Sequence, residues 1–197
     1  MNANREGGGQ AIQSNDLPPG KVKLVTWHLE MFQKPERDAA RPGPEDLDII
    51  RVEKPPIHFY RYLYATVGSP WVWWERRIQS DDAIRADLHD TAFDFFVPYQ
   101  RGVPVGMMEL NGRAFPEVQL NYFGLIPERC GLGIGGYLLD WMADEVFARG
   151  ATRFWVHTCS LDSPRALPAY QRAGFTLYNT VEEIVDDPRS LPGPTVA

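Results

Sequence analysis

Apolar positions along the chain change their spacing from segment to segment, and that rhythm lays out the elements. Residues 21–31 alternate as a half-buried strand does, with Val22, Leu24 and Trp27 read as facing inward. Residues 33–46 are charged and carry prolines, which predicts a surface loop. A short strand over 47–52 is stopped by Pro55 and Pro56. Over 58–67 the period lengthens to that of a helix, with Phe59, Tyr62 and Leu63 on one face and Gly68 as its stop. Ser80 followed by Asp81 and Asp82 is an N-cap with acids in the first turn, so 81–89 is predicted helical. Two strands, 92–99 and 103–110, flank the Gln100-Arg101-Gly102 turn as a hairpin. Asn111-Gly112 then leads to a strand over 117–126.

That strand changes phase. Val118, Leu120 and Tyr122 share one face, whereas Phe123 and Leu125 put apolar side chains on the other, with Gly124 inside the shift. Either a bulge at Gly124 turns the strand and breaks its pairing, or the strand is buried on both faces. Beyond it a helix over 137–149 carries Leu138, Met142 and Val146 on one stripe and ends at Gly150. A strand over 153–158 follows. Ser163-Pro164 then opens a helix to Ala173, stopped by Gly174, and a strand over 175–184 closes the sheet. Residues 1–20 and 187–197 read as tails, the first of them mobile, around one domain over 21–186.

A chain of 197 residues, 44% hydrophobic and 12% aromatic, suits one packed domain. Twenty basic against twenty-six acidic residues give a net charge of −6 with no basic block, which argues against a nucleic-acid partner. No apolar run approaches the ~18 residues of a membrane span. The polar opening MNANREGGGQAIQSND lacks the apolar core of a secretory signal. The two cysteines, Cys130 and Cys159, make no disulfide framework, so a cytoplasmic setting is expected. His28, His58, His89 and His157 have no metal-ligand spacing, and no metal is expected.

Gly131, Gly133, Gly135 and Gly136 crowd the turn between the 117–126 strand and the next helix. Glycine lets backbone approach a ligand closely, and the unpaired N–H groups of a helix start favour an anion. A phosphate-bearing cofactor is the chemistry this points to. Residues 131–136 spell G-x-G-x-x-G, yet a dinucleotide unit opens a parallel sheet, and here the turn follows several strands. The next strand ends in His157-Thr158-Cys159, with no acid for a ribose hydroxyl, and there is no Gly-Lys-Ser/Thr of a P-loop.

The stretch IPERCGLGIGGYLL resembles the acetyl-CoA loop of the GNAT acyltransferases, where glutamine or arginine precedes x-x-G-x-G/A. Aligning its last two glycines on Gly133 and Gly135 puts Cys130 at the Gln/Arg position, with Arg129 one residue early. A second stretch, LDSPRALPAYQRAGFTLY, is similar to the family segment N-x-x-A-x-x-L-Y-x-x-x-G-F. Ala166, Tyr170, Gly174 and Phe175 match, while Ser163 replaces asparagine and Ala169 replaces leucine. The FYRYLYATVGSPWVWWERR segment is similar to a bacterial, small-molecule-type subgroup. The resemblance covers 92–180 closely and 47–91 more loosely, and leaves the first 46 residues outside.

The resemblance implies an α/β GNAT fold: a mixed, mostly antiparallel sheet splayed between its fourth and fifth family strands, with helices on both faces. It implies an acyltransferase that moves an acetyl group from acetyl-CoA, as co-substrate, to a small-molecule amine by direct attack in a ternary complex. The cofactor would meet the backbone of Gly131, Leu132, Gly133, Ile134, Gly135 and Gly136, with Arg129, Phe123, Leu125 and Ser163 around it. An unpaired N–H near Leu125 would serve as oxyanion donor. Tyr170 would give the departing thiolate its proton, against a plain reading as a core aromatic. An alkylammonium group has a pKa near ~10, so a base or water must also remove a proton. The strand position where relatives often carry glutamate holds Gln119, which leaves Glu117 or a water chain, with Glu109 read as a solvated carboxylate. Because Gln119 and Cys130 depart from the pattern, a non-catalytic acyl-CoA-binding module is the rival reading.

Two further groupings stay open at this level. His157, Cys159 and Asp162 are the residue types of an acyl-enzyme triad, but same-face neighbours on a strand stand ~6.5 Å apart, too far for a direct hydrogen bond. Tyr60, Tyr62, Tyr64, Trp71, Trp73 and Trp74 form either an aromatic wall, with Glu75 nearby, for a hydrophobic or cationic amine, or ordinary core and subunit packing that leaves room for a homodimer.

Overall fold

The computed structural model describes residues 17–36, 41 and 43–191. Residues 1–16 and 192–197, most of the two tails, lie outside them, as do 37–40 and 42 of the expected loop. The strands are β1 (Lys21–Met31), β2 (Leu47–Arg51), β3 (Phe93–Gln100), β4 (Val103–Pro104), β5 (Gly106–Asn111), β6 (Glu117–Leu125), β7 (Arg153–Cys159) and β8 (Thr176–Asp186). They make one sheet in the order β2-β3-β5-β6-β7-β1-β8, with β4 on β3. Every pairing is antiparallel except β6 with β7.

The helices are α1 (Ile57–Gly68), α2 (Glu75–Ile78), α3 (Asp81–Leu88), α4 (Ile134–Ala148) and α5 (Ala166–Ala173). They cover both faces. Leu138, Met142 and Val146 of α4 and Tyr170 of α5 pack with Phe96, Met108, Leu120, Phe154 and Val156 of the sheet. On the other side Tyr60, Leu63 and Val67 of α1 and Ile84 of α3 pack with Phe93, Phe95, Val97 and Met107. The two apolar groups explain why β3 and β5 are buried on both faces instead of alternating.

Several local expectations hold. Ser80 caps α3, its Oγ accepting from the Ala83 N–H at 3.2 Å, and Gly174 ends α5 in the left-handed region at φ 107°. Others are corrected. Gly68 lies inside the end of α1 at φ −89°, not in a left-handed stop. Its missing side chain makes room for Trp73, since a Cβ there would fall 2.5 Å from that residue. Ser163 caps a turn at Arg165 N, and α5 proper starts three residues later. Leu29 and Met31 are the buried residues of β1, while Val22 and Leu24 are half-buried.

The first and last strands pair. The final strand closes the sheet, as expected, and reaches β7 only through β1. β1 lies between β7 and β8, pairing with His157 through His28 and with Asp186 through Lys21. β8 is an edge strand held only by β1.

Candidate active site

The phase change in β6 is a bulge, but at Asn121, not Gly124. Glu109 of β5 faces Tyr122 and its neighbour Leu110 faces Leu120, so Asn121 is the extra residue. Leu120 and then Phe123 therefore turn to the α4 side, and Tyr122 to the α1 side. Gly124 serves close packing instead: a Cβ there would lie 2.3 Å from Val67. The parallel ladder with β7 ends where the bulge begins, at Leu120 opposite Val156. Past that point the two strands diverge. The Ile126 N–H donates to Val105 O at 3.0 Å on the β5 side, so strand alternation turns the Leu125 N–H to the other edge, toward the opening.

A cavity of about 710 Å³ fills the opening. Its walls come from Leu120 to Leu125 of β6, Val156 to Cys159 of β7, the glycine turn, the start of α5 and the segment from Trp71 to Glu75. Of the residues singled out from sequence, Phe123, Leu125, Gly131, Gly133, Gly135, Gly136, Ser163 and Tyr170 meet here. Leu132 is exposed and Ile134 is buried in the core, so these two bring only their backbone to the turn.

The turn is built for an anion. Gly131 and Gly133 hold φ of 84° and 82°, which side chains resist, and a Cβ on Gly133 would meet nothing within 4 Å. Gly133 is the N-cap of the fifteen-residue α4, with no side-chain cap and no acid in the first turn. The first N–H groups of α4 are left for a ligand. Three arginines line the cavity, Arg41, Arg165 and Arg172, and the first two lie beside Gly136 and Gly131 of the turn. Arg41 donates to Asp140 at 2.8 Å and lies against Gly136, where a Cβ would sit 2.3 Å from its Nη1. Arg129 is not among them, because its guanidinium turns to Gln100 at 3.1 Å. Sequence reasoning missed Arg41, which stands in a stretch read as plain loop, and passed over Arg165 and Arg172 inside a matched motif.

Glu117 is also displaced from the expected role. It sits at the foot of β6 and accepts from Arg153 at 2.6 Å, three residues (about 10 Å) before the strands part. Glu109 is not solvated: it is fully buried, receiving Tyr60 Oη, Asn121 Nδ2 at 2.8 Å and Arg76 Nη2 at 3.2 Å. Burial pushes its carboxyl above the ordinary range, against the pull of Arg76. This cluster ties the bulge residue Asn121 to α1 and α2.

Tyr170 lines the cavity at 6% exposure, and its hydroxyl has no hydrogen-bond partner among the described residues. Burial, then the charge of Asp162, raises its pKa, so it keeps its proton at neutral pH. The same two causes lift Cys159 to about 11, which leaves that thiol a poor nucleophile. Asp162 does not orient His157. It accepts from Trp73 Nε1 at 3.1 Å, Thr158 Oγ1 at 2.8 Å and the Cys159 N–H at 3.0 Å. The aromatic cluster divides: Tyr60 and Tyr64 are core, Tyr62 is exposed, and Trp71, Trp73 and Trp74 line the cavity.

The family model for the acetyltransferase (GNAT) family matches residues 57–175, more than half of the chain. The chain belongs to this family. Known GNAT structures share its fold at low identity. A GCN5-related N-acetyltransferase from Kribbella flavida superposes with a TM-score of 0.57 at 16% identity, over 85% of this chain and 60% of that one. One from Sphaerobacter thermophilus gives 0.59 at 17%, over 84% and 52%. An aminoglycoside acetyltransferase from an uncultured soil metagenomic sample, in complex with sisomicin, gives 0.54 at 15%, over 66% and 88%. The chain thus spans about 60% of the length of the first of these structures. No curated protein matches it significantly by sequence. The mixed sheet, open between β6 and β7 and flanked by helices, is the GNAT fold. β1 and β2 precede the matched stretch, so the family match alone does not reach the strand beside β7.

Proposed function

We propose that this protein transfers an acetyl group from acetyl-CoA to the amine of a small molecule by direct attack in a ternary complex. One observation carries the reading: the uncapped start of α4, the parted β6 and β7 and Tyr170, whose hydroxyl has no partner among the described residues, share a single cavity. The backbone of the glycine turn and the guanidinium groups of Arg41, Arg165 and Arg172 hold the cofactor's phosphates. The Leu125 N–H stabilises the oxyanion as the amine attacks the thioester carbon. Tyr170, protonated at neutral pH, donates a hydrogen bond to the sulfur as the C–S bond breaks. Full proton transfer from so weak an acid is uphill, so this bond carries the main effect. The amine's proton leaves through water in the cleft, since Glu117 stands outside it. Two free cysteines accord with a reducing cytoplasm.

The test has two stages. Calorimetry should show acetyl-CoA binding to the wild type and none to a folded Gly133→Asp variant, where bulk, positive φ and charge all oppose the phosphates. Undiminished affinity in that variant rules the turn out. Thiol release is then followed over polyamines, aromatic amines, amino acids and aminoglycosides. Binding without turnover on any of them favours the non-catalytic module.

A further inference from the structure

The cavity carries charges of both signs. Arg165 lies beside Gly131 and Arg41 beside Gly136 at the glycine turn, while the cavity's two carboxylates, Glu75 and Asp162, are held by Tyr122 and Trp73 on another part of the wall. Neither carboxylate forms an ion pair with any described residue. Glu75 accepts from the Tyr122 hydroxyl, and Asp162 accepts only from an indole, a hydroxyl and a backbone N–H. All these donors are neutral, so no described cation offsets either charge, that of the exposed Glu75 or that of Asp162. Both charges reach Cys159, and that of Asp162 reaches Tyr170, so they lie around the point where the chemistry is proposed.

A pair of acids alone would not make a site. Here a polar side chain lines the same space: Tyr170, 6% exposed and with no hydrogen-bond partner for its hydroxyl among the described residues. The wall beside the carboxylates is indole. Trp73 is engaged by Tyr64, Tyr122 and Asp162, whereas Trp71 and Trp74 line the cavity with no aromatic partner among the described residues. Val72 between them is held at φ 56°, a conformation a β-branched residue adopts only under constraint. That constrained turn brings Trp71 to Glu75 onto the wall together.

We infer that this part of the cavity is the acceptor subsite and that it selects a small primary ammonium on an apolar or aromatic stem, with no carboxylate of its own. The inference rests on the transfer reading above. Glu75 receives the ammonium, Asp162 adds to the field, and the open faces of Trp71 and Trp74 take the stem and part of the charge. A carboxylate on the acceptor would meet two like charges, which excludes free amino acids.

Tryptophan fluorescence on the full chain tests this directly, using phenethylamine, its neutral isostere 2-phenylethanol, and phenylalanine. Phenethylamine should bind at least about tenfold more tightly than either, the worth of one charge-assisted hydrogen bond. In Glu75→Gln, which keeps the Tyr122 acceptor, the advantage over the alcohol should shrink to about threefold or less, with acetyl-CoA affinity unchanged by calorimetry. Equal binding of the alcohol or the amino acid overturns the inference. So does a Glu75→Gln protein with the full preference intact. The wild-type ligand comparison decides even if the variant fails to fold. Loss of acetyl-CoA binding or of thiol release would instead sink the transfer reading, and neither alters the amine preference measured here.

Discussion

Replacing Glu109 by glutamine removes one charge from a sealed cluster while keeping its shape. In the native protein the carboxylate is fully buried and receives Arg76, Tyr60 and Asn121, and Arg76 is 3% exposed. Breaking a buried pair by removing one partner costs about 3–5 kcal/mol, because the other charge stays buried without its counterion. Arg76 still reaches Asp87, and the glutamine oxygen satisfies one donor, which places the expected loss near 3 kcal/mol. For a domain of this size that lowers Tm by roughly 6–12 °C. Urea unfolding with an unchanged m value is the assay. The double replacement Arg76→Met/Glu109→Met should cost clearly less than the sum of its singles, since Asp87 retains Arg113 at 2.9 Å. A Glu109→Gln loss below about 1 kcal/mol, or strict additivity in the cycle, would refute the picture of one interdependent cluster.

Three other outcomes follow from the same geometry. Tyr170→Phe should lower kcat by about ten- to a hundredfold with acetyl-CoA affinity nearly intact, and an unchanged kcat with chemistry rate-limiting would return the residue to the core. With its thiol at about 11, Cys159 is ionised to only about one part in 10⁴ at pH 7, so Cys159→Ala should stay active and the kinetics should show intersecting double-reciprocal lines. Parallel lines with acetyl trapped on Cys159 would overturn the direct mechanism. His28 lies below its ordinary 6.5 because burial, then the neighbouring His157, disfavours its charge. The unfolded chain therefore holds more protons just below pH 6.5, and stability should fall as pH drops through that window, less steeply in His28→Asn. An identical Tm-against-pH slope for both proteins counts against it.

Local periodicity revealed most elements, because helix stripes and the Ser80 cap are written within a few residues of one another. The phase change in 117–125 likewise announced a bulge, but hydropathy could not choose between Asn121 and Gly124. That choice depends on which residue of β5 stands opposite, a contact across the sheet. Glu109 reads from sequence as any surface acid, since the partners that permit its burial lie 33 and 49 residues away in Arg76 and Tyr60. Glu117 has the right strand but the wrong depth, which only the end of the β6–β7 ladder reveals. The glycine turn was legible because its chemistry is in the backbone. Arg41 was not, since nothing in its own stretch marks where that loop returns.

The place of β1 dictates an order of assembly. It is synthesised before both of its partners, and its pairs with β8 join residues as far apart as Lys21 and Asp186. At roughly 5–20 residues per second, the strand emerges many seconds before β7 and β8 exist. Through that interval its backbone donors and acceptors stand open, the state in which an unpaired strand recruits other chains. Loop closure on this scale also slows folding. The wall of the cleft formed by β7 is therefore completed last, by the segment that has waited longest.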